Sequence, residues 1–246
     1  MEKNNWFIYS KENEGEFYFK EIIVINNQIH YTTGLYSTWG RTEIINYNNW
    51  SDLCNELDKI KSDVEEDGYE LIRLWHFDES QFDYKLLEYE VEIALNMCIK
   101  EALNIHPDIN GIAIGTDDGA MTIFPIFTAF DSIDNVDGEE LFLFDSWKFW
   151  DLDFNLFQVA YRLILSFRSE LYSNELVFEK NYDEFCDKFI GTCIKSMNKA
   201  KDSINQDKEN FIFMVSSTES EMTVENFRIL NNDKISERYC ECMEEF

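Results

Sequence analysis

Two prolines and nine glycines are spread over 246 residues, so no Pro- or Gly-rich linker separates the halves of the chain. No internal repeat and no low-complexity tract interrupts it either. Histidine is scarce: His30, His76 and His106 are the three present, and none stands in an H-E-x-x-H or H-x-E context. The chain has no Walker loop, no G-x-G-x-x-G and no G-x-S-x-G, which removes the familiar phosphate cradles and the nucleophile elbow. Gly115-Thr116-Asp117-Asp118-Gly119 has the wrong spacing for such a cradle, and its acids would repel phosphate. No run approaches the ~20 apolar residues of a membrane span. The opening MEKNNWFIYS also lacks the apolar core of a signal peptide. The expected compartment is the reducing cytoplasm, with no membrane partner.

Positive charge is the other shortage. Against 49 acidic residues stand 21 basic ones, a formal net charge of −28. Residues 1–80 hold 16 acidic and 7 basic residues, a net of −9, and residues 81–246 hold 33 and 14, a net of −19. The acid therefore belongs to the whole body and not to a tail. Neutralising phosphates takes Lys and Arg, so nucleic acid is excluded as the expected partner. A basic protein is the partner that this charge would attract.

What is plentiful is apolar and aromatic: 45% hydrophobic, 16% aromatic, with 21 phenylalanines. Such a chain affords a sizeable core, unlike a disordered one. Six cysteines occur: Cys54, Cys98, Cys186, Cys193, Cys240 and Cys242. The first four fall on apolar positions of helical patterns, where Cys behaves as a small hydrophobe. The lone C-x-C at the end has no second ligand pair at metal-site spacing. Reduced thiols are expected, and no metal or cofactor.

The first third reads as strands and one helix. Residues 6–9, 17–25, 29–36 and 42–47 are predicted strands, with Asn26-Asn27-Gln28 as a hairpin turn. Ser51 is the expected N-cap of a helix over 52–66, in which Leu53, Leu57, Ile60 and Val64 make one apolar stripe. Asp67-Gly68 ends it, and residues 69–77 suggest a further strand. A helix marked by Leu87, Val91, Ala94, Cys98 and Ala102 follows, with His106 at its end. His76, beside Trp75, is expected to be packed. Residues 110–115 and 120–128 read as strands joined by a turn over 116–119. Residues 154–167 read as a buried helix, residues 182–197 as a helix with a strong apolar stripe, and residues 211–215 as a buried strand. The last thirty residues are polar with weak helical character. Strands and helices mix without a regular βαβ rhythm, which predicts an α+β protein. Its expected domains are residues 1–77, an antiparallel sheet with one helix, and residues 78–246, a larger α+β domain.

Carboxylates gather at Asp117 and Asp118 and through Asp131, Asp134, Asp137, Glu139 and Glu140. The second group falls short of a calcium loop, which needs alternating oxygen ligands, a central Gly and a terminal Glu. These seven residues are the expected contacts for a basic partner. Trp147 and Trp150, in a segment dense in Phe and Leu, are expected in the core.

Two resemblances add to this. Trp39-Gly40-Arg41, at the end of a strand in YTTGLYSTWGRTEIINY and followed by a helix and Gly68-Tyr69, makes residues 17–71 resemble a WGR domain. That likeness implies a small β-sheet with one packed helix. Thr42-Glu43-Ile44 replaces the glycines that usually follow the tripeptide, and basic residues are scarce, so the family's DNA binding is not carried over. Residues 82–231, with GIAIGTDDGAMTIFPIFTAF, FDSWKFWDLDF and FIFMVSS, look like an uncharacterised bacterial family found near polymorphic-toxin immunity genes. The leading expectation is an immunity or inhibitor protein that binds a cognate toxin. The alternatives are a nucleic-acid mimic that blocks a defence or restriction enzyme, and an enzyme with a carboxylate site.

Overall fold

The computed structural model describes residues 5–25, 27–36, 38, 40–76, 82–117, 119–120, 122–131, 136–137, 141–142, 147, 154–164, 175–204, 211–217 and 223–244. The chain divides into two compact units, Met1–Asp83 and Tyr84–Phe246. The boundary expected after residue 77 falls within 77–81, outside the described residues.

The first unit contains β1 (Asn5–Asn13), β2 (Glu16–Ile25), β3 (Gln28–Leu35), β4 (Arg41–Asn46), α1 (Trp50–Glu66) and β5 (Glu70–His76). The strands form one antiparallel sheet in the order β4-β3-β2-β1-β5. Glu14 and Gly15, both left-handed at φ 54° and 84°, make the two-residue turn whose twist suits a hairpin. Alternation then decides the faces. Phe7 pairs with Ile22, and Val24 with Ile29, and these residues with Tyr9 form a core with Leu53, Leu57 and Val64 of α1. Trp6, Ile8, Phe19, Glu21 and Thr32 alternate with them and are buried on the other face, which is why β1 reads as an unbroken apolar run. There the Trp6 indole donates to Glu21 Oε1 at 2.7 Å.

The start of α1 departs from expectation. Asn49, not Ser51, is the N-cap: its backbone is extended and its Oδ1 accepts from Asp52 N–H at 2.9 Å. Asn caps as well as Ser, and the earlier start lets Trp50 pack against the core. The helix ends as predicted at Gly68, whose φ is +82°. Gly68 N–H bonds Glu65 O and Tyr69 N–H bonds Val64 O, a Schellman pair. Lys11 donates to the Asp67 carbonyl at 2.7 Å and Lys20 to its carboxylate at 2.6 Å, placing cations at the negative end of the helix. His76 also differs: it is exposed, at the end of β5, an edge strand of the sheet.

The second unit contains α2 (Tyr84–Ile105), β6 (Gly111–Thr116), β7 (Phe124–Thr128), α3 (residues 158–164, led in by a 3-10 turn at Phe154–Phe157), α4 (Glu175–Ala200), β8 (Ile212–Ser217), α5 (Val224–Leu230) and α6 (Asp233–Glu244). The sheet order is β7-β6-β8, with β6 antiparallel to β7 and parallel to β8. Every residue of β6 and β8 is buried, as befits strands covered on both faces. α2 and α4 pack together, presenting Leu87, Val91, Ala94 and Cys98 on one and Phe185, Phe189, Cys193 and Met197 on the other. Trp147 is buried, as expected, and donates to Leu141 O at 3.2 Å; Trp150 lies outside the described residues. The expected strand over 120–128 is shorter. Ala120 has φ +49° and belongs to the turn, and the connection from 117 to 123 is closed by side chains: the Thr116 hydroxyl donates to Thr122 O at 2.7 Å. The polar C-terminal stretch forms two helices, anchored by Phe142, Phe227 and Tyr239 ring against ring. The protein is α+β, as the mixed pattern predicts. Among the described residues no helix is long and apolar enough to cross a membrane.

Candidate functional site

Of the carboxylates singled out in the sequence, Asp117, Asp131 and Asp137 are among the described residues. Asp117 is half-buried at the C-terminal end of β6. Its N–H donates to the Thr122 hydroxyl at 3.1 Å, and that hydroxyl donates to Asp117 Oδ2 at 3.2 Å. Asp117 thus shapes its own loop. Asp131 and Asp137 are exposed beyond the C-terminus of β7. β7 runs antiparallel to β6, with Thr128 opposite Gly111, so Asp131, three residues on, lies at the other end of the sheet from Asp117. A six-residue strand spans about 20 Å. Asp118, Asp134, Glu139 and Glu140 lie outside the described residues.

In the first unit, Trp39 lies outside the described residues. Gly40 is left-handed at φ +73°, and a Cβ there would stand 2.7 Å from the Phe19 ring and 2.8 Å from Thr33 O. This glycine is therefore required by packing. Arg41 opens β4 with its side chain exposed.

The acidic surface that residue order alone did not single out is on α1. Leu53, Leu57 and Val64 fix the inward side. At 100° per residue, Asp52, Glu56 and Asp63 then line one flank and Asp58 and Glu65 the other. Asp52 to Asp63 spans about 16 Å at 1.5 Å per residue. Burial, then Glu65, push the Tyr9 hydroxyl up to about 12. Tyr47, just past β4, packs against the core that holds Leu53 and Leu57, and burial, then the fields of Glu56 and Glu43, raise its hydroxyl. Glu56 meets exposed Lys59 at 3.5 Å; an exposed pair of this kind is worth about 0–1 kcal/mol. Asp58, Asp63 and Glu65 make no ion pair among the described residues. The signal was available in the sequence: once the apolar stripe is assigned, the outward positions follow.

Nothing here assembles a metal centre: among the described residues no group of three or more His, Cys, Asp or Glu side chains could hold an ion. Among the described residues, the carboxylates of Asp67 and Glu184 are held below the usual range by hydrogen bonds from Lys20 and Lys188. Comparison with family models, with curated proteins and with solved structures found no match to this chain.

Proposed function

We propose that the chain is an acidic protein-binding protein of the immunity or inhibitor kind, which neutralises a cognate toxin by covering a basic surface. The observation that carries this reading is the outer surface of α1. Asp58, Asp63 and Glu65 stand exposed there, without ion-pair partners among the described residues, in a chain of net charge −28. Like charges held together in one fold cost stability, and a cationic partner offsets that cost while gaining a fast, steered encounter. The test is co-expression with the product of a neighbouring toxin reading frame. The chain should restore growth, and the triple reversal Asp58→Lys, Asp63→Lys, Glu65→Lys should abolish the rescue while leaving the fold intact.

The line of carboxylates along α1 also favours a second reading, a mimic of nucleic acid that occupies an enzyme's phosphate-binding cleft. In that case duplex DNA should compete with the chain for its partner.

A further inference from the structure

β4 is the outer strand of its sheet and pairs with β3 alone, in unbroken register from Gln28 opposite Asn46 to Thr33 opposite Arg41. Tyr47 N–H donates to Asn27 O at 2.8 Å, so Tyr47 faces β3. Antiparallel alternation then turns residues 41, 43 and 45 towards β3, and it points the backbone N–H and C=O of Thr42, Ile44 and Asn46 away from the sheet. Folded proteins usually block such an edge with Lys, Pro, a bulge or a covering element. Among the described residues β4 has none of these. Arg41, Thr42, Glu43, Ile44 and Asn46 are all exposed, and Ile44 is 53% exposed.

The two faces of this edge differ in chemistry. Thr42 and Ile44 sit opposite Thr32 and His30, whereas Glu43 and Ile45 sit opposite Tyr31 and Ile29, on the face that α1 covers. On that face Glu43 and Glu56 both act on Tyr47, with Asp52 and Asp63 further along the same flank of the helix. A strand laid against β4 would therefore meet an isoleucine on one face and carboxylates on the other.

We propose that β4 is a docking edge, and that its occupant is an extended segment of a basic partner in which Lys or Arg alternates with apolar residues. Its backbone bonds Thr42, Ile44 and Asn46, its apolar side chains cover Ile44, and its cations face Glu43 and Glu56. A second copy of this chain fits poorly. Each copy carries a net charge of −28, and a two-fold register that pairs Thr42 with Ile44 sets Glu43 against Glu43. The inference rests on the basic-partner reading above and adds the mode of binding.

The probe is a short peptide of alternating Lys and Val, titrated into the full chain at ~0.15 M salt. Its control is the isomer with all Lys followed by all Val. The alternating peptide should bind at least ~10-fold more tightly than its isomer and should slow hydrogen exchange at the amides of Thr42, Ile44 and Asn46. Ile44→Pro removes an outward N–H without touching the β3 ladder, and should weaken binding to the level of the isomer. Equal binding of the two peptides, or no protection at the three amides, would overturn the proposal. If Ile44→Pro misfolds by circular dichroism, Thr42→Pro and exchange on the unaltered chain decide. Growth rescue separates the two ideas. Rescue that survives Ile44→Pro but not the triple charge reversal removes the strand-docking mode and keeps the basic partner. Rescue that survives both removes the basic-partner reading itself.

Discussion

Asn231 bonds both backbone groups of Phe213. Its Oδ1 accepts from Phe213 N–H at 2.9 Å, and its Nδ2 donates to Phe213 O at 2.8 Å and to Phe227 O at 3.1 Å. Ile212 N–H is spent on Asn110 O, so Phe213 points to the free side of β8, and the amide of Asn231 stands where another strand would pair. Asn110 does the same for Phe130. Edge groups buried without partners cost about 1–3 kcal/mol each. Asn231→Ala should therefore lower stability by about 2–4 kcal/mol, read from the midpoint of urea unfolding.

Gly40 and Gly15 separate strain from crowding. Both are left-handed, but a Cβ at Gly40 meets the Phe19 ring and the Thr33 carbonyl, whereas at Gly15 nothing lies within 4 Å. Gly15→Ala should cost about 1 kcal/mol of backbone strain. Gly40→Ala should cost about 1–3 kcal/mol more, for the overpacking. Equal losses in denaturant unfolding would mean that Phe19 moves aside freely.

How much of this was legible in the sequence depends on the reach of each interaction. Leu53, Leu57, Ile60 and Val64 named the buried side of α1, and Asp67-Gly68 named its end, because those signals act within one or two turns. Asn49 was missed because Asn and Ser cap alike, and only the backbone angle chooses between them. Thr116 and Thr122 were missed because a hydroxyl closing a loop leaves no periodic trace. The parallel pairing of Gly111 with Ile212 spans about a hundred residues, and alternation reports which face a residue takes, not which strand lies beside it. The carboxylates at 117 and 131 are close in the sequence, yet an intervening strand puts them at opposite ends of a sheet.

The Lys20–Asp67 pair gives a pH signature. Lys20 lowers the Asp67 pKa by hydrogen bond and field. A carboxylate with a depressed folded pKa adds stability above its unfolded value and loses it as pH falls through the folded one. Burial works against the Lys20 charge, but the hydrogen bond to Asp67, with the fields of Tyr31, Asp67 and Tyr69, leaves its pKa raised. Asp67→Asn should therefore be less stable than the unaltered chain at neutral pH. The two should converge as pH drops below 3.8, the ordinary value for this group. A gap that persists at lower pH would assign the effect to something other than ionisation.

The thiols should react in order of exposure. Cys98 and Cys193 are buried, whereas Cys54, Cys186, Cys240 and Cys242 are partly exposed, and none of the six forms a disulfide. Burial pushes the Cys193 thiol well above its ordinary value, and the thiolate is the reactive form. Mass mapping after brief native alkylation should find Cys98 and Cys193 unmodified and Cys240, close to Arg228 at 3.6 Å, among the first labelled. Early labelling of Cys193 would mean that α4 opens locally on the timescale of the reagent.

The sharpest test of the charge argument is duplex DNA. The WGR-like tripeptide alone would suggest DNA binding, but what the structure describes of it supplies a packing glycine, Gly40, and one exposed cation, Arg41. Glu43 follows on the same face of β4, and the α1 flank carries Asp52, Glu56 and Asp63 against Lys59. Each phosphate contact needs a cation to displace condensed counterions, and at ~0.15 M salt a charge is felt over only about 8 Å. A lone arginine beside that many carboxylates leaves a local field that repels phosphate. Polarisation titration with a labelled duplex at ~0.15 M salt should show no binding into the micromolar range, while a basic protein partner should bind with a rate that falls steeply as salt is added. Micromolar or tighter duplex binding would mean that a local basic patch overrides the global charge, and the inhibitor reading would lose its main physical support.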